Sequence, residues 1–202
     1  MQKILIIFTL LFFCFSASYA NSTQNESAKN KKIDQLTRGA KLTDLIESPN
    51  GKWIAFVKKS NFIVPKNCFY FFSKGDHADE IWMVNTDTMT KKLLVPPYFT
   101  CGDVTKVILD PHHLRFSPDS KTLYFETSAW VTSGAVHAVN VDGKNERFVI
   151  DGDELHLVQT GKYKGDLIVN QHRYHDKGGS YNWDWLFTPM GKQIKLYKKE
   201  SD

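Results

Sequence analysis

From Lys41 onward the chain alternates short apolar runs, rich in β-branched and aromatic residues, with Gly, Pro, Asn and Asp at close intervals. Short strands joined by tight turns give this pattern, because residues two apart share one face of a strand. It predicts strands over Trp53 to Lys59, Glu80 to Thr86, Lys91 to Val95, Thr105 to Leu109, Thr122 to Ser128, Ala135 to Val141 and Arg147 to Ile150. Further strands follow over Glu154 to Gln159, Asp166 to Arg173, Asn182 to Thr188 and Gln193 to Lys198, and a twelfth over Lys41 to Glu47. No segment after residue 45 keeps the spacing of an amphipathic helix. Asp142-Gly143 supplies the positive φ of one tight hairpin, and Thr86 to Thr90 forms another around Asp87. Two connections are long: Ser60 to Ala78, carrying Cys68, and Pro96 to Val104, carrying Cys101.

The amino terminus has a different pattern. Lys3 precedes the run Ile4 to Phe15, whose one polar residue is Thr9, and Ser18 and Ala20 place small residues before a cut after Ala20. This is the layout of a secretory signal peptide over residues 1–20, too short for the ~20 apolar residues of a membrane-crossing helix. Cys14 follows Phe12 and Phe13, where lipid attachment needs a small residue, so anchoring is disfavoured. Residues 21–40 begin with twelve that are nearly all polar, and read as a flexible leader. A periplasmic or secreted domain over residues 41–202 is expected. In an oxidising compartment Cys68 and Cys101 are expected to pair, closing a loop worth roughly 3 to 4 kcal/mol on the chain-entropy model.

Self-similarity carries most of the information. Ser48-Pro49-Asn50-Gly51-Lys52-Trp53-Ile54-Ala55-Phe56 recurs as Ser117-Pro118-Asp119-Ser120-Lys121-Thr122-Leu123-Tyr124-Phe125, and more weakly as Thr188-Pro189-Met190-Gly191-Lys192-Gln193-Ile194-Lys195-Leu196. Proline presets φ, Asn or Asp bonds its own backbone, and a small residue ends the turn before an alternating strand. The third copy fits either the same turn or a hairpin in register with Asn140 to Gly143. This turn, its aromatic strand and the following Asp-Gly hairpin resemble the WD-type β-propeller repeat of the periplasmic Tol-system translocation protein. The propellers of the prolyl oligopeptidase family are similar. The resemblance implies an all-β fold of about three four-stranded antiparallel blades, either partial or completed by self-association, since a ring closes with about four to eight.

Composition and charge narrow the partners. A formal charge of +4 without a dense basic cluster gives nucleic acid no support, and no later stretch spans a membrane. No Gly-x-Ser-x-Gly, His-Glu-x-x-His or phosphate loop occurs. In the oligopeptidases the resemblance places the catalytic triad on a separate hydrolase domain, so the propeller alone is a binding surface. No catalytic residue, metal ligand or cofactor is expected.

His112, His113, His172 and His175 are the histidines that cluster in sequence, and joint ligation would need a bend between His172 and His175; they read as solvated loop histidines. The acidic run Asp151 to Glu154 lacks the full spacing of a Ca²⁺ loop and reads as a turn. Tyr181, Trp183, Trp185 and Phe187 share one strand face, which suits a core face or a stacking platform. Phe69, Tyr70, Phe71 and Phe72 adjoin Cys68 in a long loop and suit a contact patch. The leading expectation is an exported, non-enzymatic protein that binds a protein or peptide partner through Phe69 to Phe72 and Tyr181, Trp183 and Trp185, as a homodimer where a second copy completes the ring. The alternatives are a metal-dependent hydrolase using His112, His113, His172 or His175 and a lectin-like carbohydrate binder using Trp183 and Trp185.

Overall fold

The computed structural model describes residues 26–64 and 77–199, which fall into two units, Met1–Arg38 and Gly39–Asp202. Within the first, residues 26–36 form a helix where a flexible leader was expected. Glu26, Ala28, Gln35, Leu36 and the lysines are good helix formers, and almost every position is exposed, as its polar composition requires.

The second unit is all β. Its first sheet has the order β1 (Ala40–Glu47), β2 (Trp53–Ile63), β3 (His77–Asn85), β4 (Thr90–Val95). The second runs β5 (His112–Phe116), β6 (Thr122–Thr127), β7 (Ala135–Asn140), β8 (Arg147–Asp151). The third comprises β9 (Asp153–Leu157), β10 (Leu167–Tyr174), β11 (Ser180–Phe187) and β12 (Gln193–Lys198), also in chain order across the sheet. Every pairing is antiparallel, so each sheet is a four-stranded meander. β5 lies beside both β1 and β9, which makes the first strand of each sheet an inner strand. Three such meanders stacked face to face are consecutive propeller-like blades, as the repeat implied.

The middle sheet is apolar on both faces. Leu114, Phe116, Leu123 and Phe125 pack on Ala55, Val57, Ile81 and Met83 of the first sheet. Tyr124, Val136 and Ala138 point the other way, onto Leu155, Leu167, Val169 and Phe187 of the third. Burial on both sides explains why β6 and β7 read as near-continuous apolar runs instead of alternating ones. Each fully buried Phe contributes about 2 to 3 kcal/mol.

The two strong turn copies superpose bond for bond. Ser48 Oγ donates to Asn50 Oδ1 and accepts from the Trp53 amide; Ser117 Oγ donates to Asp119 Oδ1 and accepts from the Thr122 amide. Gly51 at φ 69° and Ser120 at φ 60° occupy the same left-handed position, so the missing glycine of the second copy changes the residue and not the backbone.

One open register is resolved and two local expectations are corrected. Thr188 to Lys192 joins β11 to β12, so the third copy is the hairpin equivalent of Asn140 to Gly143. Residues 105–109 are no strand: a 3-10 turn occupies Val104–Lys106, with Asp103 capping the Thr105 amide, and Ile108 makes one bridge to Tyr98. The inner strand of that blade is instead His112–Phe116. In the Thr86 to Thr90 hairpin the capping side chain is Asn85, which accepts from the amides of residues 87 and 88, and Met89 takes the positive φ of 54°.

Candidate functional site

The expected partner surface divides in two. Cys68 and the loop Phe69 to Phe72 lie outside the described residues. Tyr181, Trp183 and Trp185 are described, and they form a ladder along one face of β11, with ring centroids 4.1 Å apart for Tyr181 and Trp183 and 6.4 Å for Trp183 and Trp185. Phe187, the fourth aromatic of that face, is wholly inside the core, and Trp185 packs against the same cluster. The ladder is therefore core at one end and surface at the other. From Tyr174 to Ser180 the hairpin tip is exposed throughout, and Tyr181 and Trp183 are half-buried.

Cations and polar groups frame the ladder. The Arg173 guanidinium lies 3.9 Å from the Trp185 ring centroid, and Lys199 Nζ is 4.8 Å from that of Trp183. Arg173 Nε donates to Gln171 Oε1 at 2.9 Å. Buried Gln171 in turn donates to the Asp151 carbonyl of the neighbouring sheet at 2.8 Å, which fixes the floor on which the rings stand. His175 joins the tip, 4.5 Å from Tyr181, and His172 meets Tyr174 at 5.0 Å.

The four clustered histidines do not converge. His172 and His175 belong to the ladder hairpin, whereas His112 and His113 stand on β5 beside Glu126 of β6. Pairing sets His112 opposite Glu126. Strict alternation would send His113 to the opposite face, but a bulge between residues 112 and 115 and a φ of 48° at His113 turn both rings to the same carboxylate. His113 Nδ1 is 3.2 Å from Glu126 Oε1, and His112 Nε2 is 3.7 Å from Oε2. The uncommon backbone is held by Asp44 of β1, whose Oδ1 accepts the His113 amide at 3.1 Å.

Glu126 is 1% exposed, and its Oε1 also accepts the Leu155 amide at 2.7 Å. Burial pushes the nearby Asp153 carboxyl above the usual range, and the Glu126 charge adds to the rise, although the Gly134 amide opposes it. Among the described residues these three side chains, His112, His113 and Glu126, are the group able to hold a metal ion, their donor atoms all within 4.8 Å of one another. Sequence reasoning expected loop histidines and missed Glu126, because the strand that carries the pair escaped detection. By contrast His137, fully buried, bonds Glu146 at 2.9 Å and stacks on Phe125 at 5.4 Å, as a core residue does. A groove of about 350 Å³ lies between the Ser117 turn, Tyr124, Lys164 and Pro189, and the Ser117–Asp119 bond on its wall is the one that closes the turn.

The fold class is thus a segment of β-propeller built from three blades. No family model and no curated protein matches the chain. Among solved structures it is similar to the propeller domain of the trilobed protease from Pyrococcus furiosus (TM-score 0.48, 13% identity, 81% of this chain and 44% of that one). It is also similar to TolB from Acinetobacter baumannii (TM-score 0.47, 16% identity, 81% and 34%). The acylaminoacyl peptidase of Pyrococcus horikoshii is a third (TM-score 0.49, 14% identity, 82% and 26%). The chain spans less than half the length of each of these structures.

Proposed function

We propose that this chain is an exported, non-enzymatic binding protein that seats a protein or peptide segment on the aromatic ladder of its third blade. The observation that carries this reading is the continuous stack of Tyr181, Trp183 and Trp185, anchored in the core at Phe187 and reaching an exposed hairpin tip. Rigid aromatic rings present large amphipathic area at little entropic cost, and flanking Arg173 and Lys199 suit a partner that pairs apolar with acidic residues. The Phe69 to Phe72 loop, tied by a Cys68 to Cys101 bridge, is a second contact patch in this reading. In this reading a second copy supplies further blades, since a ring closes with about four to eight.

Selection from a displayed peptide library, followed by affinity measurement on the full chain, tests the ladder. Peptides recovered by the wild type are expected to lose at least about tenfold in affinity to a Tyr181→Ser/Trp183→Ser variant of unchanged circular dichroism, roughly 1.4 kcal/mol. Equal affinity for both proteins overturns the reading, as does a peptide-silent chain that binds immobilised glycans through the same rings.

A further inference from the structure

We propose that His112, His113 and Glu126 form a binding site for a single divalent transition-metal ion of the Zn²⁺ class. The inference is independent of the partner surface on the third blade. Three features of the arrangement point to a cation.

The first is the tautomer of His112. Its Nδ1 lies 2.8 Å from the Asp110 carbonyl oxygen, which can only accept, so the ring nitrogen on that side is the one that carries hydrogen. The Nε2 of a neutral ring then presents a lone pair, and it faces Glu126 Oε2 at 3.7 Å. Two acceptors opposed across that gap repel unless a positive charge lies between them. A backbone carbonyl that fixes one nitrogen of a histidine while the other faces the ion is the usual supporting contact of a metal site.

Charge is the second. Glu126 is buried to 1% exposure, and among the described residues the groups within ion-pair reach of it are the His112 and His113 rings, neither of which is a fixed charge. A buried carboxylate without a fixed positive partner is costly. Asp44 and Asp153 lie in the same neighbourhood, the first on the His113 amide and the second close enough for the Glu126 charge to act on it. The charges of Glu126 and Asp153 are what a divalent ion would offset.

The third is spacing and donor type. His113 Nδ1 lies 3.2 Å from one Glu126 oxygen and His112 Nε2 3.7 Å from the other, with one donor per residue within 4.8 Å of the rest, close to the edge of about 3.4 Å of a tetrahedron with metal bonds of about 2.1 Å. Two imidazoles and one carboxylate select Zn²⁺ and its neighbours over Ca²⁺ or Mg²⁺, which take oxygen donors. Three protein donors leave one tetrahedral position to water or to a carboxylate of a bound partner. His113 has a side-chain exposure of 53% and His112 of 32%, so the ion can enter from solvent. The bulge and the left-handed φ at His113 are what bring both rings to one carboxylate, and strain of this kind collects at functional sites.

Zn²⁺ titration of the full chain, stripped with chelator and followed by calorimetry, tests the site. The wild type is expected to bind one Zn²⁺ per chain and to unfold at higher temperature when loaded. Glu126→Gln keeps an acceptor for the Leu155 amide, and His113→Asn keeps a residue that tolerates positive φ, so both variants are built to fold. Each is expected to weaken Zn²⁺ binding at least about tenfold, the scale on which even supporting contacts of a metal site are felt. His172→Gln/His175→Gln is expected to bind as the wild type does. Absence of saturable binding in the folded wild type overturns the proposal. So does affinity that survives His112→Gln/His113→Asn, or that is lost in the His172→Gln/His175→Gln protein instead.

Discussion

The backbone amide of Asn50 donates to the Ser120 hydroxyl at 3.1 Å, so the first Ser-Pro turn is bonded directly to its copy later in the chain. The repeat is therefore a contact as well as a similarity: each turn sits at the same height on its blade, and the copies meet edge to edge. Ser120 is buried and holds a φ of 60°, which costs a residue with Cβ about 1 kcal/mol relative to glycine. Ser120→Ala keeps that strain and loses the bond, for an expected destabilisation of about 1 kcal/mol. Ser120→Gly loses the bond and the strain together, and is expected to be within about 0.5 kcal/mol of the wild type. Urea denaturation of the two variants checks this; an alanine variant as stable as the glycine one contradicts it.

Asp119 makes the same turn pH-dependent. The Ser117 hydroxyl, opposed in part by desolvation and helped by the Lys121 amide, holds its carboxyl below the usual range. A carboxyl lowered in the folded state stabilises at pH values above its unfolded pKa, and that stabilisation disappears as pH falls through the lowered value. Asn50 performs the same bonding without ionising in the first copy, which makes Asp119→Asn the informative substitution. The wild type is expected to exceed the variant in urea midpoint at about pH 7 and to converge on it at about pH 2 to 3, below the ordinary carboxylate range near 4. A gap that widens in acid would contradict this sign.

Blade boundaries were legible because turn chemistry is local. Ser48 to Lys52 and Ser117 to Lys121 each contain their own bonding partners, so five residues suffice to predict the turn and the strand after it. The inner strand His112–Phe116 was not legible: its positions alternate poorly because the bulge at His113 interrupts the period, and the pairing of His112 depends on Glu126 across the intervening turn. Thr105 to Leu109 misled for the complementary reason. Its apolar residues are buried by tertiary packing, Val107 and Leu109 against Val64 and Ala78, without any strand ladder. The aromatic face of β11 was visible as a period of two, but its passage from core at Phe187 to surface at Tyr181 is set by what the neighbouring sheet covers. Glu126, likewise, has no sequence signal linking it to His112; only strand register brings them opposite each other.

Gly191 ties the third blade to the second. A Cβ built there would collide with the Val149 carbonyl oxygen, and φ is 80°. Gly178 has a similar φ of 91° but open space around it. Gly178→Ala is expected to cost about 1 kcal/mol, the price of the backbone alone. Gly191→Ala adds a backbone collision, and is expected to cost about 2 kcal/mol or more. Thermal unfolding of both variants decides; equal midpoints would mean that the two blades separate without resistance at this point.

Trp185 and Trp183 are neighbours on one ladder with different tasks, and substitution separates them. Trp185 packs on the cluster between the second and third blades under the Arg173 guanidinium, so Trp185→Ala opens a cavity and strips the cation of its ring, for an expected loss of about 3 kcal/mol. Its buried Nε1 has no hydrogen-bond partner. Trp185→Phe removes that unpaired donor while keeping a ring, and is expected to cost less than about 1.5 kcal/mol. Trp183 is outside the cluster and touches Tyr181, His175 and Lys199, so Trp183→Ala is expected to cost about 1 kcal/mol or less while removing the middle rung. Chemical denaturation followed by circular dichroism ranks the three variants. A Trp183→Ala protein as unstable as Trp185→Ala would mean that the whole ladder is core, which would leave the proposed partner without its surface.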